Sequence, residues 1–337
     1  MTVDLNAQPI LAVDDLHVTF GTKGSDVVRA VDGVSFSVRA GERLGGVGER
    51  GSGKSVTSLA ILGLLPQRGV TVEGSITLDG HELIGAPEKE LQSIRGRRAA
   101  MVFQDPMSSL NPVLTIGRQL TEVLIRHKVA TKKEAPERAA ALLERVGISS
   151  ARARLKNYPH QLSGGMRQRV MIAMALACEP AVLIADEPTT ALDVTIQAQV
   201  LELLKELVVG SQTALILITH DLGVVAGMCD RVHVMYSGRI VETGQRHALF
   251  AHPRHHYTRG LLRSVPRLDL IGGQLQPIPG SPRDVIAWSD GCAFAPRCSA
   301  VTEACLGAAP EFVRTEDDCL VRCVNPAPLG EFMWKAR

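Results

Sequence analysis

Eight residues have the types and spacing of a phosphate-binding loop, with glycines at its bends and a lysine and a serine at its end: Gly48, Glu49, Arg50, Gly51, Ser52, Gly53, Lys54 and Ser55. The glycines allow the backbone to curl until its N–H groups face a β-phosphate, the lysine neutralises β- and γ-phosphate oxygens, and the serine hydroxyl reaches Mg²⁺. The flanks predict a strand at 43–47 and an apolar helix at 56–65, whose positive end would face the phosphates. We therefore predict a nucleoside triphosphate site; the alternative is a chance match in a loop rich in glycine and serine.

A predicted strand that ends in two acids supplies a second part of such a site. Residues 181–188 read Ala-Val-Leu-Ile-Ala-Asp-Glu-Pro, and a continuous apolar run of this length is typical of a parallel strand covered on both faces. Asp186 would hold Mg²⁺ through its water shell, and Glu187 would accept a proton from the water that attacks the γ-phosphate. The alternative is a parallel strand capped by a solvated Asp-Glu pair.

Gln104 and His220 each follow another predicted strand. Gln104 ends an apolar run that starts at Ala99, where an amide could sense Mg²⁺ and the attacking water; taken alone, such a glutamine is more often a solvated loop residue. His220 follows a strand at 213–219, and the carboxyl edge of a parallel sheet is where ligands bind. It could contact the γ-phosphate and orient water, whereas a lone histidine after a strand is usually structural.

A second anion-binding feature lies further along the chain, where Leu-Ser-Gly-Gly-Met at 162–166 opens a long helix predicted at 167–178. Such a turn exposes N–H groups and the positive end of the helix dipole. Two phosphate-binding features in one site would compete. If each serves the nucleotide of a different copy, the protein is a dimer clamped by ATP.

The remaining pattern indicates an α/β fold. Residues 11–47 alternate like strands, and a strand at 75–80 with a turn at Asp79-Gly80 adds to the same antiparallel sheet. Gly45 and Gly46 weaken the strand before the phosphate loop, so we expect close packing there. Periodicity further predicts helices within 116–146 and at 195–207, and strands at 232–236 and 239–244 that close this domain near residue 250.

Composition bounds the classes of function. The 337 residues carry 37 basic and 35 acidic side chains, a net charge of +2, so no electrostatic footprint for nucleic acid stands out. The first residues have no basic and apolar leader, and no stretch of about 18 apolar residues occurs. We therefore expect a cytosolic chain that does not itself span a membrane, with an aliphatic core because aromatic residues make up only 4%.

The C-terminal part carries separate chemistry. After a linker at 266–290 rich in proline and glycine come five of the seven cysteines: Cys292, Cys298, Cys305, Cys319 and Cys323. Clustered cysteines in a cytosolic chain are more often metal ligands than disulfides. Their spacing lacks the Cys-x-x-Cys pairs typical of zinc, and four thiolates can hold a [4Fe–4S] cluster without such pairs. Buried or free thiols and zinc are the alternatives, and Cys178 and Cys229 are interpreted as core residues.

The ordered motifs resemble the ATP-binding subunit of an ABC transporter over about residues 8–250. The resemblance implies a P-loop NTPase of ABC type, with a RecA-like core, an antiparallel β-subdomain and a helical subdomain at about 105–165. It implies a head-to-tail dimer in which one subunit completes the ATP site of the other through Ser163, Gly164, Gly165 and Asp193. It also implies Mg²⁺ binding through Ser55, Gln104 and Asp186 and catalysis by Glu187, His220 and Gln104. Met166 departs from the family's usual glutamine.

Residues 103–112 and the tail at 252–262 resemble the dipeptide/oligopeptide importers, and nickel and glutathione importers share these features. The resemblance implies peptide uptake driven by ATP hydrolysis through two separate membrane permease subunits at the cytoplasmic face of the inner membrane. Further implied partners are a second ATP-binding subunit, identical or paralogous, and indirectly an extracytoplasmic peptide-binding protein, with no nucleic acid. A soluble ABC ATPase acting on ribosomes or DNA is the alternative, although it usually needs two cassettes or long coiled coils.

The same resemblance extends to the C-terminal extension, 251–337, whose cysteine-rich segment is 291–324. Its Gly-Cys-x-Phe-x-x-Arg-Cys sequence at 291–298 is similar to a tail that holds an iron–sulfur cluster. The implied ligands of a [4Fe–4S] cluster are Cys292, Cys298, Cys305 and Cys323, with Cys319 as a possible replacement. The cofactors expected for the whole chain are thus ATP, Mg²⁺ and this cluster.

Overall fold

A computed structural model describes residues 8–21, 27–190, 192–209, 211–264, 277–281 and 291–330. Contacts divide the chain into two compact units. The first contains the residues up to Leu11, Ser37–Glu42 and Thr77–Ile218, and the second contains Ala12–Phe36, Arg43–Ile76 and the residues from Thr219 onwards. Most of the linker at 266–290 lies outside the described residues.

The strands are, in chain order, β1 (Leu11–Phe20), β2 (Val28–Val38), β3 (Arg43–Val47), β4 (Val70–Leu78), β5 (His81–Glu82), β6 (Ala99–Val102), β7 (Val182–Asp186), β8 (Ala214–Ile218), β9 (Arg231–Tyr236), β10 (Arg239–Gln245), β11 (Val313–Arg314) and β12 (Leu320–Val321). The helices are α1 (Lys54–Ile61), α2 (Glu88–Ile94), α3 (Pro106–Ser109), α4 (Ile116–Arg126), α5 (Ala135–Arg145), α6 (Ala151–Arg154), α7 (Gly164–Leu176), α8 (Val194–Val209), α9 (Leu222–Met228), α10 (Arg246–Ala251), α11 (His256–Arg263) and α12 (Ala304–Gly307). These elements confirm the predicted alternation of strands and helices.

The first unit is built on three parallel strands in the order β6-β7-β8. Every residue of β7 and β8 is buried, as expected for parallel strands covered on both faces. The predicted helices within 116–146 are α4 and α5, which pack against each other. The β4–β5 hairpin turns at Asp79-Gly80 as predicted, with Leu78 opposite His81.

The second unit contains a sheet with the strand order β11-β12-β10-β9-β3. Strand β3 pairs parallel with β9, and β9 pairs antiparallel with β10. The outer two strands, β11 and β12, come from the C-terminal part of the chain. Strand β12 joins the sheet by pairing with β10, where Val321 and Leu320 lie opposite Glu242 and Thr243. From the sequence, β10 was predicted as the last strand, and β11 and β12 were missed. Each of these has only two residues, which is too short for a recognisable strand pattern.

The helix after the phosphate loop is shorter than predicted. It ends at Ile61, and not at residue 65, because Gly63 adopts a left-handed backbone with φ 60°. The Gly63 amide donates to the Ala60 carbonyl and the Leu64 amide to the Leu59 carbonyl. This pair of hydrogen bonds is a Schellman motif, which satisfies the last carbonyls of a helix and stops it.

The predicted close packing in β3 is confirmed at Gly45. A Cβ at Gly45 would lie 2.5 Å from Val225 Cγ1 and 3.1 Å from Cys229 Sγ. Cys229 is buried, as predicted for a core residue, whereas Cys178 is only half-buried.

In the part of the chain that the structure describes, no helix combines the length and apolar character needed to cross a membrane.

Candidate functional site

The phosphate loop joins β3 to α1, as the sequence predicted. Two of its glycines are required by close backbone contacts. At Gly53, where φ is 100°, a Cβ would lie 2.6 Å from the Ala30 carbonyl oxygen, and at Gly48 it would collide with the Met235 carbonyl oxygen. The loop is therefore pressed against β2 and β9, and its curled backbone is available only to glycine at these positions.

Lys54 lies against its own loop. Its Nζ donates to the carbonyl oxygens of Gly48 and Glu49, each at 2.8 Å, and to Ser52 Oγ at 2.9 Å. Lys54 is 6% exposed, so these acceptors compensate the burial of an ammonium group. This lysine is the first residue of α1, so it lies where loop and helix meet.

Glu49 is held by two residues from beyond position 250. Its amide donates to Tyr257 Oη at 2.8 Å, so this N–H is engaged by a protein group. Arg297 Nη1 and Nη2 donate to the two carboxylate oxygens of Glu49 at 2.7 and 3.1 Å. Neither partner was predicted, although both lie in motifs of the C-terminal part: Tyr257 in His-His-Tyr-Thr and Arg297 in the sequence that precedes Cys298.

The first unit holds the acids at the end of β7. Asp186 is buried, and Glu187 turns the chain with a left-handed φ of 45°. The Glu187 carboxylate accepts hydrogen bonds from Gln104 Nε2 at 3.1 Å and Thr190 Oγ1 at 2.8 Å. The structure thus brings the predicted Gln104 and Glu187 together and adds Thr190, which the sequence reasoning missed.

The Leu-Ser-Gly-Gly-Met turn opens α7 at Gly164, three residues before the predicted start. Ser163 is the N-cap, and its Oγ accepts from the Met166 amide at 3.3 Å. The Met166 backbone therefore contributes to the turn regardless of its side chain. A Cβ at Gly165 would lie 2.7 Å from Ile196 Cγ2, so Gly165 is also required for packing.

Asp193 and His220 occupy exposed positions. Asp193 Oδ1 accepts from the Ile196 amide at 3.0 Å, at the start of α8. His220 follows β8 and belongs to the second unit together with the phosphate loop, whereas Gln104, Asp186, Glu187, Ser163 and Asp193 belong to the first.

The five clustered cysteines have two kinds of environment. The Cys292 amide donates to the Cys305 carbonyl at 2.8 Å. Burial is the main cause that raises the pKa of the Cys323 thiol to about 11. The neighbouring thiols of Cys292, Cys298 and Cys305 also raise it.

Cys319 has a different environment from the other four. Burial raises its pKa to about 12, with further increases from Glu242, Asp317 and Asp318 and none from a cysteine. A Cβ at Gly244 would collide with the Cys319 thiol. The neighbours that raise the pKa of Cys319 therefore differ from those of Cys323. Within the described ranges, no three His, Cys, Asp or Glu side chains are arranged to hold a metal ion.

Comparisons with known proteins match both parts of the chain. The profile of the ABC transporter family matches residues 31–190, and that of the oligopeptide/dipeptide transporter C-terminal region matches 241–305. The oligopeptide transport ATP-binding protein OppD of Salmonella typhimurium is 53% identical over 304 residues, 90% of each chain. The chain belongs to this family of ABC transporter ATP-binding proteins.

Further members and solved structures agree with this assignment. The dipeptide transport ATP-binding protein DppD of Bacillus subtilis is 52% identical over 317 residues, 94% of each chain. A dimeric ATP-binding cassette bound to ADP and Pi in a post-hydrolysis state is 27% identical, with a TM-score of 0.62, over 70% of this chain and 98% of that chain. The ABC ATPase fold predicted from the ordered motifs is thereby confirmed.

Proposed function

We propose that this chain is the ATP-hydrolysing motor of an ABC importer for dipeptides or oligopeptides. The observation that carries the proposal is a phosphate loop with a buried lysine in a chain that also holds Glu187 between Gln104 and Thr190. The peptide substrate class rests on the names of relatives that match nine-tenths of the chain.

In this proposal the loop from Gly48 to Ser55 binds the phosphates of ATP. Lys54 stabilises negative charge on the β- and γ-phosphates, and Ser55, Gln104 and Asp186 hold Mg²⁺ directly or through water. Glu187 accepts the proton of the attacking water, and His220 contacts the γ-phosphate. Ser163, Gly164, Gly165 and Asp193 act on the nucleotide of the other ATP-binding subunit.

We further propose that residues 8–250 form the ATP-binding domain and that 251–337 form the extension. Transport in this proposal needs two membrane permease subunits, and the chain is peripheral at the cytoplasmic face of the membrane. The second ATP-binding subunit is an identical or paralogous copy. A peptide-binding protein outside the cell delivers the cargo to the permease and does not contact this chain directly.

The test of the ATPase uses the complex with its permease subunits. Glu187→Gln is expected to lower kcat for ATP by about 10²–10⁴-fold, because it removes a general base, while MgATP binding persists. Lys54→Ala is expected to weaken MgATP binding itself. Glu202→Gln, a change of an exposed helix residue, serves as the matched control and retains wild-type hydrolysis. Normal hydrolysis by Glu187→Gln would contradict the role of Glu187.

The peptide substrate class is tested separately by transport. Vesicles containing the complex and its binding protein are expected to accumulate labelled peptides only with ATP. Uptake of nickel ions in place of peptides would refute the substrate class and leave the ATPase assignment standing.

We also propose that Cys292, Cys298, Cys305 and Cys323 hold a [4Fe–4S] cluster. The support is the chemistry of the donor set, the hydrogen bond from the Cys292 amide to the Cys305 carbonyl, and the effect of Cys292, Cys298 and Cys305 on the pKa of the Cys323 thiol. Zinc requires all four sulfurs at about 2.3 Å from one ion, and the described residues contain no convergent group of that kind. In a four-iron cluster each of the four thiolates binds a different iron of one compact cluster. When bound, the cluster would tie the segment from 292 to 323 together.

A further inference from the structure

We infer that Arg297 and Tyr257 are positioning residues of the ATP site, which act through Glu49 on Lys54. This inference rests on the proposed ATPase function and adds the extension to the machinery of nucleotide binding. It is carried by hydrogen bonds within the second unit.

Arg297 holds the Glu49 carboxylate in a fixed orientation through two hydrogen bonds. The Arg297 side chain is 3% exposed and that of Glu49 is 26% exposed. A two-pronged guanidinium–carboxylate pair fixes orientation as well as distance. The guanidinium is itself fixed, because Arg297 Nε donates to the Pro279 carbonyl at 2.8 Å and Nη1 reaches Tyr236 Oη at 3.4 Å.

Tyr257 fixes the same loop residue through its backbone. The fully buried Tyr257 ring packs 4.6 Å from that of Tyr236 and 5.4 Å from that of Phe294, measured between ring centroids. Its hydroxyl accepts the Glu49 amide. The aromatic cluster is thus a support against which the first peptide groups of the loop are oriented.

Arg297 and Tyr257 influence Lys54 through the hydrogen bond from Lys54 Nζ to the Glu49 carbonyl. The Glu49 carbonyl that accepts from Lys54 Nζ belongs to the residue whose amide and carboxylate are held by Tyr257 and Arg297. Because both the amide and the carboxylate of Glu49 are held, the direction of its carbonyl is fixed. The Lys54 ammonium that donates to this carbonyl is therefore fixed as well. Loss of either support therefore moves the lysine away from the place where phosphate oxygens bind.

The experiment compares variants of the full chain for MgADP affinity by calorimetry and for unfolding temperature without nucleotide. Arg297→Met is expected to weaken MgADP binding about tenfold, a typical size for coupling between neighbouring sites. Tyr257→Phe deletes one oxygen and is expected to weaken binding several-fold. Arg297→Lys keeps the positive charge but cannot form the two parallel hydrogen bonds of a guanidinium, so it should restore only part of the MgADP affinity that Arg297→Met loses. Arg314→Met is the matched control, because Arg314 pairs with Asp318 on the surface of the same extension, and it should bind MgADP normally.

A double substitution identifies the route. If Arg297 acts through Glu49, Arg297→Met combined with Glu49→Gln binds MgADP no more weakly than the more affected single variant. Independent, additive losses would contradict this route.

A merely structural role is distinguishable. Variants of Arg297 and Tyr257 that unfold at lower temperature yet bind MgADP with wild-type affinity would overturn the inference while leaving the ATPase proposal intact. Failure of the unsubstituted chain to bind MgADP would refute the proposed function, and the positioning role with it.

Discussion

At the scale of single residues, Glu187 combines backbone strain with its proposed chemical role. A left-handed conformation costs a residue other than glycine about 1–2 kcal/mol, and Glu187 has a φ of 45°. The Glu187 amide donates to the Ile218 carbonyl at 2.8 Å, and its carboxylate is held by Gln104 and Thr190. These contacts keep the turn in place and direct the carboxylate, which is how strain persists at functional sites.

The contrast between two glycines gives a residue-scale prediction. Gly45→Ala is expected to destabilise the second unit by about 1–3 kcal/mol, because the added methyl group overlaps Val225 and approaches Cys229 in a packed core. The midpoint of urea unfolding measures the change.

The matched control is Gly227→Ala. Gly227 lies inside α9, and a methyl group added there would meet no atom within 4 Å, so alanine should stabilise the protein by about 0.5–1 kcal/mol. Equal effects of the two substitutions would contradict the packing argument.

The limits of prediction are clearest for single residues. The spacing from Gly48 to Ser55 is local, so backbone chemistry alone predicts the loop. Tyr257 and Arg297 contact Glu49 across 208 and 248 positions of sequence, and no periodicity encodes which distant side chain a given residue will meet. Their types were visible in the sequence, but their partner was not.

At the scale of elements, boundaries depend on capping groups more than on apolar pattern. The apolar run at 56–65 predicts a longer helix than α1, because hydrophobicity continues past the glycine that ends it. In α7 the Ser163 hydroxyl starts the helix at Gly164, before the apolar pattern does. The strands β7 and β8 were predicted within about one residue because a strand covered on both faces is apolar over almost all of its length.

The junction of β10, β12 and α11 contains a buried acid that makes stability depend on pH. Burial raises the pKa of Glu242 from 4.5 to about 7, against the lowering effect of the Arg254 and His255 amides that donate to it. Between these values the folded chain binds more protons than the unfolded chain. The free energy of unfolding therefore falls as pH rises from about 4.5 to 7, by roughly 3 kcal/mol.

Urea unfolding from pH 5 to pH 8 tests this prediction. Glu242→Gln removes the titrating group, so the part of the slope assigned to Glu242 should disappear. Glu316→Gln changes an exposed glutamate of the same unit and should leave the slope unchanged. A Glu242→Gln chain with the full wild-type slope would show that the pH dependence arises elsewhere.

At the scale of the whole molecule, the proposed cluster predicts the composition and colour of the intact chain. Protein purified without oxygen should be brown and contain about four irons and four sulfides per chain. Cys323→Ser should remove iron and sulfide and lower the unfolding temperature, because a bound metal group contributes to folding. Iron, sulfide and visible absorption are the measurements.

Cys319→Ser is the matched control for the cluster. Cys319 is buried, and the neighbours that raise the pKa of its thiol are Glu242, Asp317 and Asp318, so its replacement should leave iron and sulfide bound. Loss of the cluster in Cys319→Ser but not in Cys323→Ser would exchange their roles. An iron-free wild-type chain with one zinc would replace the cluster by a zinc site.

The hydrogen bonds that join Glu49 to Tyr257 and Arg297 also have a consequence for biosynthesis. Chains grow at about 5–20 residues per second during synthesis, so Arg297 leaves the ribosome roughly 12–50 seconds after Glu49. During that interval the phosphate loop exists without the groups that orient it. A nascent chain that has not yet reached Arg297 is therefore expected to bind MgADP more weakly than the chain in which Arg297 and Tyr257 hold Glu49.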